Sequence, residues 1–355
     1  MRENPVVAEY FLDELESLCS LEIDKLGLYR KNRSNSGIDY NLLGNYVETQ
    51  RQLLSNSVIS TKYVGDLLTG KIGDEECLME YSTHFDAMSD QLDISDVKKI
   101  IVGDDKLAVK FNLAVSMIDT YRLYEDRDKT AHSRKHVEDV VLFSTVIGKS
   151  LGLDDKDMDL LLAASVFHDS GRMDDRNVSH AVSSAKLVED KLIGVFPKED
   201  LAMIQAIIEY HELRDKRTPD GKIDYSQLID LCEKYGISRQ DQEKIDKCIQ
   251  LSNILKDADA LDRTRFVAQS KAFLNPNYLR HDVSKKLFKV SVQLNEYYSK
   301  KDIEQTLTEK PELIDIFKEA LDMTKSPKEV IRMYRKGKLV EEQKGSEVVI
   351  NGTKK

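Results

Sequence analysis

Cysteine is sparse and scattered in this chain of 355 residues: Cys19, Cys77, Cys232 and Cys248 form no CxxC pair and no spacing that suggests a thiolate metal site or a disulfide framework. A reducing compartment fits that usage best. Long apolar runs are missing as well. No segment reaches the roughly 18 uninterrupted apolar residues of a membrane span, and the start, MRENPVVAEYFLDELESL, lacks the basic-then-apolar order of a secretory signal. The expectation is a cytoplasmic protein without membrane contact, with signal-less secretion as an effector as the alternative route. Positive charge is also in deficit. With 63 acidic against 53 basic side chains and a formal charge of -10, the chain offers no broad nucleic-acid surface, because phosphate backbones are held mainly by clustered Lys and Arg.

Breakers are few too, 16 Gly and 6 Pro, and between them apolar residues recur at helical spacing rather than in strict alternation. The class expected is all-α, with under about a tenth of residues in strands. Amphipathic stretches fall at 6–30, 40–57, 74–92, 105–126, 135–151, 155–168, 177–193, 198–213, 241–258, 284–298, 302–323 and 326–336. The charged run YEDRDK, from Tyr124 to Lys129, marks a soft boundary, dividing residues 1–125, an N-terminal helical region, from a domain over 126–338. The N-terminal region holds one histidine, His84, and no cluster able to do chemistry; it reads as a helical cap or a surface for a protein partner. The tail over 339–355, polar and weakly periodic, is expected to be loosely ordered.

Six of the seven histidines lie between positions 132 and 281, and three are followed at once by an acid: His168-Asp169, His211-Glu212 and His281-Asp282. Imidazoles and carboxylates on apolar helical faces need pairing or a shared cation. In MDLLLAASVFHDSGR an apolar helix delivers His168 and Asp169 just before the breaker Gly171. His136 shares a face with Val140 and Ile147 by the i, i+4, i+11 rule and should point inward, with His132 one turn earlier as a cap or phosphate contact. In KIDKCIQLSNILKDADALDRTRF, Asp259 follows Cys248, Ser252 and Leu255 on one stripe, whereas Asp257 follows Gln250 and Asn253. Asp259 is therefore taken as the inward carboxylate, needing a cation or Arg263 one turn on, with Asp262 in reserve.

The ordered set His136, His168-Asp169 and Asp259 resembles the HD superfamily, whose pattern is H…HD…D on an all-helical core. LLLAASVFHDSGR is similar to its helix running into HD, and ILKDADALDRTR to its final-aspartate helix; the resemblance covers about residues 130–300. It implies that His136, His168, Asp169 and Asp259 ligate a divalent ion, one of Mn, Fe, Co, Zn, Ni or Mg. A hydroxide on that ion would attack a phosphomonoester or phosphodiester of a nucleotide-like substrate, either a phosphorylated small molecule or a phospho-modified macromolecule, with Asp169 also orienting the water. It further implies that His180 and His211 hold a second metal or contact phosphate, and that Arg172 grips phosphate beside them. Arg263 is a third phosphate candidate. Asp139 departs from the pattern, since many relatives carry Arg three residues after the first ligand.

A second resemblance rests on DADALDRTRF followed by NPNYLRHDVSKKL, which is similar to the phosphodiesterase domains of SidE-type effectors. That similarity implies a metal-free enzyme acting on ADP-ribosylated or phosphoribosyl-linked ubiquitin, with His132 as nucleophile, Glu212 orienting it and His281 as general acid. The complete HD ligand set favours the metal route. A helical module that binds a nucleotide or structural ion without turnover is the third reading.

Overall fold

The computed structural model describes residues 29–32, 35–38, 61–73, 90–125, 132–172, 179–268, 270–324 and 326–339. Helices dominate, as the periodicity requires. Two short strands, β1 (Tyr29–Asn32) and β2 (Asn35–Ile38), pair antiparallel, as do β3 (Lys216–Arg217) and β4 (Ile223–Asp224). Tyr29 and Arg30, expected at the end of a helix, are therefore strand residues. The rest of the expected stretches 6–30 and 40–57 lies outside the described residues, as do 74–89, which include His84.

A short turn of helix, α1 (Gly65–Leu68), precedes α2 (Ile94–Val102) and α3 (Asp105–Thr120). Next come α4 (Arg134–Ser150), α5 (Asp155–Phe167), α6 (His180–Leu192) and α7 (Lys198–His211). The chain continues through α8 (Ser226–Lys234), α9 (Gln242–Leu261), α10 (Asp282–Lys286), α11 (Phe288–Glu309), α12 (Ile314–Thr324) and α13 (Pro327–Arg335). Carboxylates start several of them. Asp104, Asp154 and Asp241 accept from the backbone N–H of Leu107, Asp157 and Lys244, satisfying donors that a helix start leaves orphaned.

Two helices set the centre. Every residue of α4 from His136 to Gly148 is buried, and so is nearly all of α5 after Asp157, which puts both inside the bundle rather than on its surface. Around this pair pack α3, α7 and α9, with α6 laid along α7. One hydrophobic cluster runs from Val64 through Phe111, Phe143, Phe167 and Ile207 to Tyr298. A smaller one joins Ile303, Phe317, Val330, Ile331 and Leu339, so α11 has its first half in the large core and its second in the small one. Leu339, placed by sequence in the loose tail, is 6% exposed; residues 340–355 lie outside the described part.

Glu138, fully buried on α4, reaches back to the segment before α1. Its carboxylate accepts from the backbone N–H groups of Lys62 (2.9 Å), Tyr63 (2.8 Å) and Val64 (3.2 Å), and from Arg134 Nε (2.8 Å). The residues before the YEDRDK run thus share both a core and a buried hydrogen-bond network with those after it.

Candidate metal centre

Helix ends build the site. His136 sits in the first turn of α4, His168 and Asp169 leave the end of α5, and His180 opens α6. His211 closes α7, and Asp259 lies in the last turn of α9. Five imidazoles form a continuous run of edge-to-face contacts, with ring centroids 5.6 Å apart for His132 and His136, 5.1 Å for His136 and His168, 5.2 Å for His168 and His211, and 5.4 Å for His211 and His180.

Each central ring is fixed from behind through Nδ1. His168 Nδ1–H donates to the carbonyl of Ser165 at 2.7 Å and His211 Nδ1–H to that of Ile208 at 2.5 Å, both three residues earlier on the same helix. His136 Nδ1 engages Asp262 Oδ2 at 2.7 Å, a carboxylate also held by Arg265 Nη1 at 2.9 Å and by Asn295 Nδ2 at 3.1 Å on its other oxygen. These bonds hold each ring with Nε2 toward the centre, where its neutral form presents a lone pair. The Nε2 atoms of His136 and His168 stand 3.1 Å apart, with Asp259 Oδ1 3.3 Å and Asp169 Oδ2 3.6 Å from His136 Nε2.

Asp169 is the hub. Its Oδ2 meets His132 Nδ1 at 2.6 Å, and its Oδ1 meets His180 Nε2 at 3.0 Å, Arg172 Nη2 at 3.4 Å and His211 Nε2 at 3.7 Å. Among the described residues, three sets have ligand atoms close enough to share one cation: His132, His136 and Asp169; His136, His168 and Asp259; His168, Asp169 and His211. Lone pairs converging at such distances repel unless a cation lies between them, so the donor set fits a divalent ion.

The electrostatics follow the same logic. Burial disfavours charge on His136, yet its hydrogen bonds to Asp169, Asp259 and Asp262 prevail and lift it to about 10. In the metal-free cluster a proton on that ring does what a cation would do. Burial drives His168 down to about 3 and holds His132 below its usual value, whereas His211, equally buried, is raised by Asp169. Burial alone would raise Asp169, but His168, His132, His136 and His180 keep it well below the ordinary carboxylate range. Asp259 is likewise lowered by His136, His168 and His211 against the effect of burial.

Several expectations need correcting. Asp257, not Asp259, is the fully buried aspartate; the Asp259 side chain is 33% exposed and looks onto the cleft. Arg263 does not pair with it; its Nε donates instead to the carbonyl of Ala272 at 2.7 Å. Asp262 supports a ligand rather than standing in for one. The three residues of the metal-free scheme engage different partners: His132 meets Asp169, Glu212 accepts from Ser179 and lies 3.3 Å from His180, and His281 is bound to Asp257 at 2.9 Å. Arg172 Nη2 is 3.1 Å from His180 Nε2, beside the hub. The carbonyls of Ser165 and Ile208 went unforeseen, although a histidine three residues after a helical carbonyl at a helix end is a usable signal. Arg265 and Asn295 carried none.

Residues 134–264 match the family model of the HD domain. The match contains His136, His168, Asp169, His180, His211 and Asp259, while His132 lies before it and His281 beyond it. No curated protein and no solved structure matches the chain. Nothing in these comparisons supports the similarity to SidE-type domains.

Proposed function

We propose, from the match of residues 134–264 to the HD domain model, that the chain hydrolyses a phosphomonoester or phosphodiester of a nucleotide-like substrate with the help of a divalent ion. The family is generally one of hydrolases that bind divalent metals. The observation that carries the reading is the convergence of the Nε2 atoms of His136 and His168 with the carboxylates of Asp259 and Asp169. These four side chains would hold the ion, and His211 and His180 extend the donor set across the other oxygen of Asp169.

Bound there, a divalent ion supplies Lewis acidity, polarising a phosphoryl oxygen and lowering the pKa of a water towards about 7. The chain's own groups do the rest. Asp169 faces both halves of the donor set and is placed to orient an attacking water. Burial holds His132 below its usual value, and its side chain is 27% exposed, so it offers an imidazole to a proton at the cleft. Arg172, with its side chain 35% exposed next to Asp169, offers a guanidinium fork to phosphate.

His168→Ala or Asp169→Ala is expected to remove bound metal and phosphodiester cleavage together, and a chelator to do the same to the unaltered chain. His132→Ala should lower turnover while leaving metal content intact. Metal analysis by plasma mass spectrometry alongside a cleavage assay reads both. Full activity in chelated protein, with a phosphoryl adduct trapped on His132, would sink the metal reading.

A further inference from the structure

Behind His136, on the side where Arg265 and Asn295 hold Asp262, lies a cavity of about 520 Å³ closed by α11 and α13, outside the matched HD segment. Its charge runs against that of the chain. Six cationic side chains, Lys135, Arg265, Lys328, Arg332, Arg335 and Lys336, line it against one carboxylate, Asp302, in a protein with 63 acidic and 53 basic residues.

Part of that charge is balanced from behind. Lys135 bonds Asp139 at 2.7 Å, Arg265 bonds Asp262 at 2.9 Å, Lys328 bonds Glu296 at 2.9 Å and Arg335 bonds Asp302 at 2.8 Å. A surplus remains. Arg332 has only a 3.6 Å approach to Glu329, and Lys336 has no ion-pair partner among the described residues. Arg265 brings one more donor: its side chain is 13% exposed, and its buried Nε has no hydrogen-bond partner among the described residues. Aromatic surface completes the wall, from Tyr298 and from Phe266, over whose ring the Arg265 guanidinium lies at 4.5 Å.

We propose that this cavity is a binding site for a small molecule bearing phosphate groups and a planar aromatic ring, distinct from the metal-ligand cluster. Its size falls within the roughly 300–1,000 Å³ usual for small-ligand sites. Arginine forks and lysines suit phosphate, and an aromatic face suits the ring. His136, a proposed metal ligand, also lines the cavity, but none of the six cations is a proposed ligand, so the site does not rest on the metal reading.

Titration calorimetry with ADP on the full chain in a chelator tests it, with inorganic pyrophosphate as the ring-free probe. ADP should bind, more tightly than pyrophosphate, and the exposed pair Arg332→Glu and Lys336→Glu together should weaken it at least tenfold while the melting curve stays put. His168→Ala should leave ADP affinity unchanged even where it abolishes cleavage, which separates this site from the metal centre. The proposal is overturned if ADP does not bind, if the charge reversals have no effect, if pyrophosphate binds as tightly, or if His168→Ala removes ADP binding.

Discussion

At the scale of single residues, Asp257 and Asp259 show how far periodicity reaches. Both point into the molecule, but to different ends. Asp259 lines the cleft, whereas Asp257 is fully buried and accepts from the backbone N–H groups of Arg280 (2.9 Å) and His281 (3.0 Å) and from Arg280 Nη1 (3.1 Å). Burial would raise the Asp257 carboxyl, but His281 and Arg280 hold it below its ordinary value of 3.8. A depressed folded-state value means stability that is present above the unfolded pKa and lost as pH falls through the folded one. Asp257→Asn should therefore cost about 1.5–3 kcal/mol near neutral pH, the worth of hydrogen bonds to a charged group. The deficit should shrink as pH drops below 3.8; urea titrations at pH 7 and pH 3 compare the two, and an equal loss at both would count against the charged carboxylate. One sequence stripe identified Asp259, because a helix face is encoded locally. The role of Asp257 depends on a loop more than twenty residues later, which no local pattern announces.

Among the elements, the histidines and aspartates of the centre are all carried at or near helix ends. That much was legible: an apolar run stopping at His168-Asp169, and His180 and His211 at the bounds of amphipathic stretches. Three helices escaped notice, the single turn α1 among them. α2 and α8 have apolar faces but run for only nine residues each, too short for the helical period to stand out over its neighbours. Conversely, the stretches 284–298 and 302–323 were divided in the wrong place, since Lys300, Lys301 and Asp302 are polar but contain no breaker, and α11 runs through them to Glu309. The turn after Asp169 has a tighter requirement. Gly171 N–H donates to the buried Ser184 Oγ at 2.9 Å, and a Cβ at Gly171 would collide with the backbone of Ser183 and Ser184 in α6. Gly171→Ala is expected to push α6 away, lowering stability by about 1–3 kcal/mol and moving His180 off Asp169. Thermal melting and metal retention measure the two effects; a variant with the parent's values for both would show that the contact has slack.

For the whole molecule, no helix among the described residues is long and apolar enough to cross a membrane. The matched segment begins at residue 134, yet Val64, Leu67, Ile101 and Phe111 belong to the same apolar cluster as α4 and α5. Sequence reading put a soft boundary at Tyr124–Lys129 because charge is dense there, and charge density reports solvent contact rather than independence of folding. Glu138 makes the dependence concrete. Cut away residues before 126 and three backbone donors leave a carboxylate that has no exposure of its own. A buried acceptor stripped of its partners costs roughly 1–3 kcal/mol, to which the newly bared faces of Val64's and Phe111's former neighbours add. A fragment spanning 126–338 should accordingly melt well below one spanning 61–338, even though both contain every proposed ligand, and Glu138→Gln should recover part of the shorter fragment's loss by removing the stranded charge. Equal melting temperatures would mean that Arg134 alone satisfies Glu138. A segment whose buried carboxylate is satisfied by backbone more than seventy residues upstream cannot be shuffled into another protein as a cassette: it must carry the preceding residues with it, or replace Glu138 first.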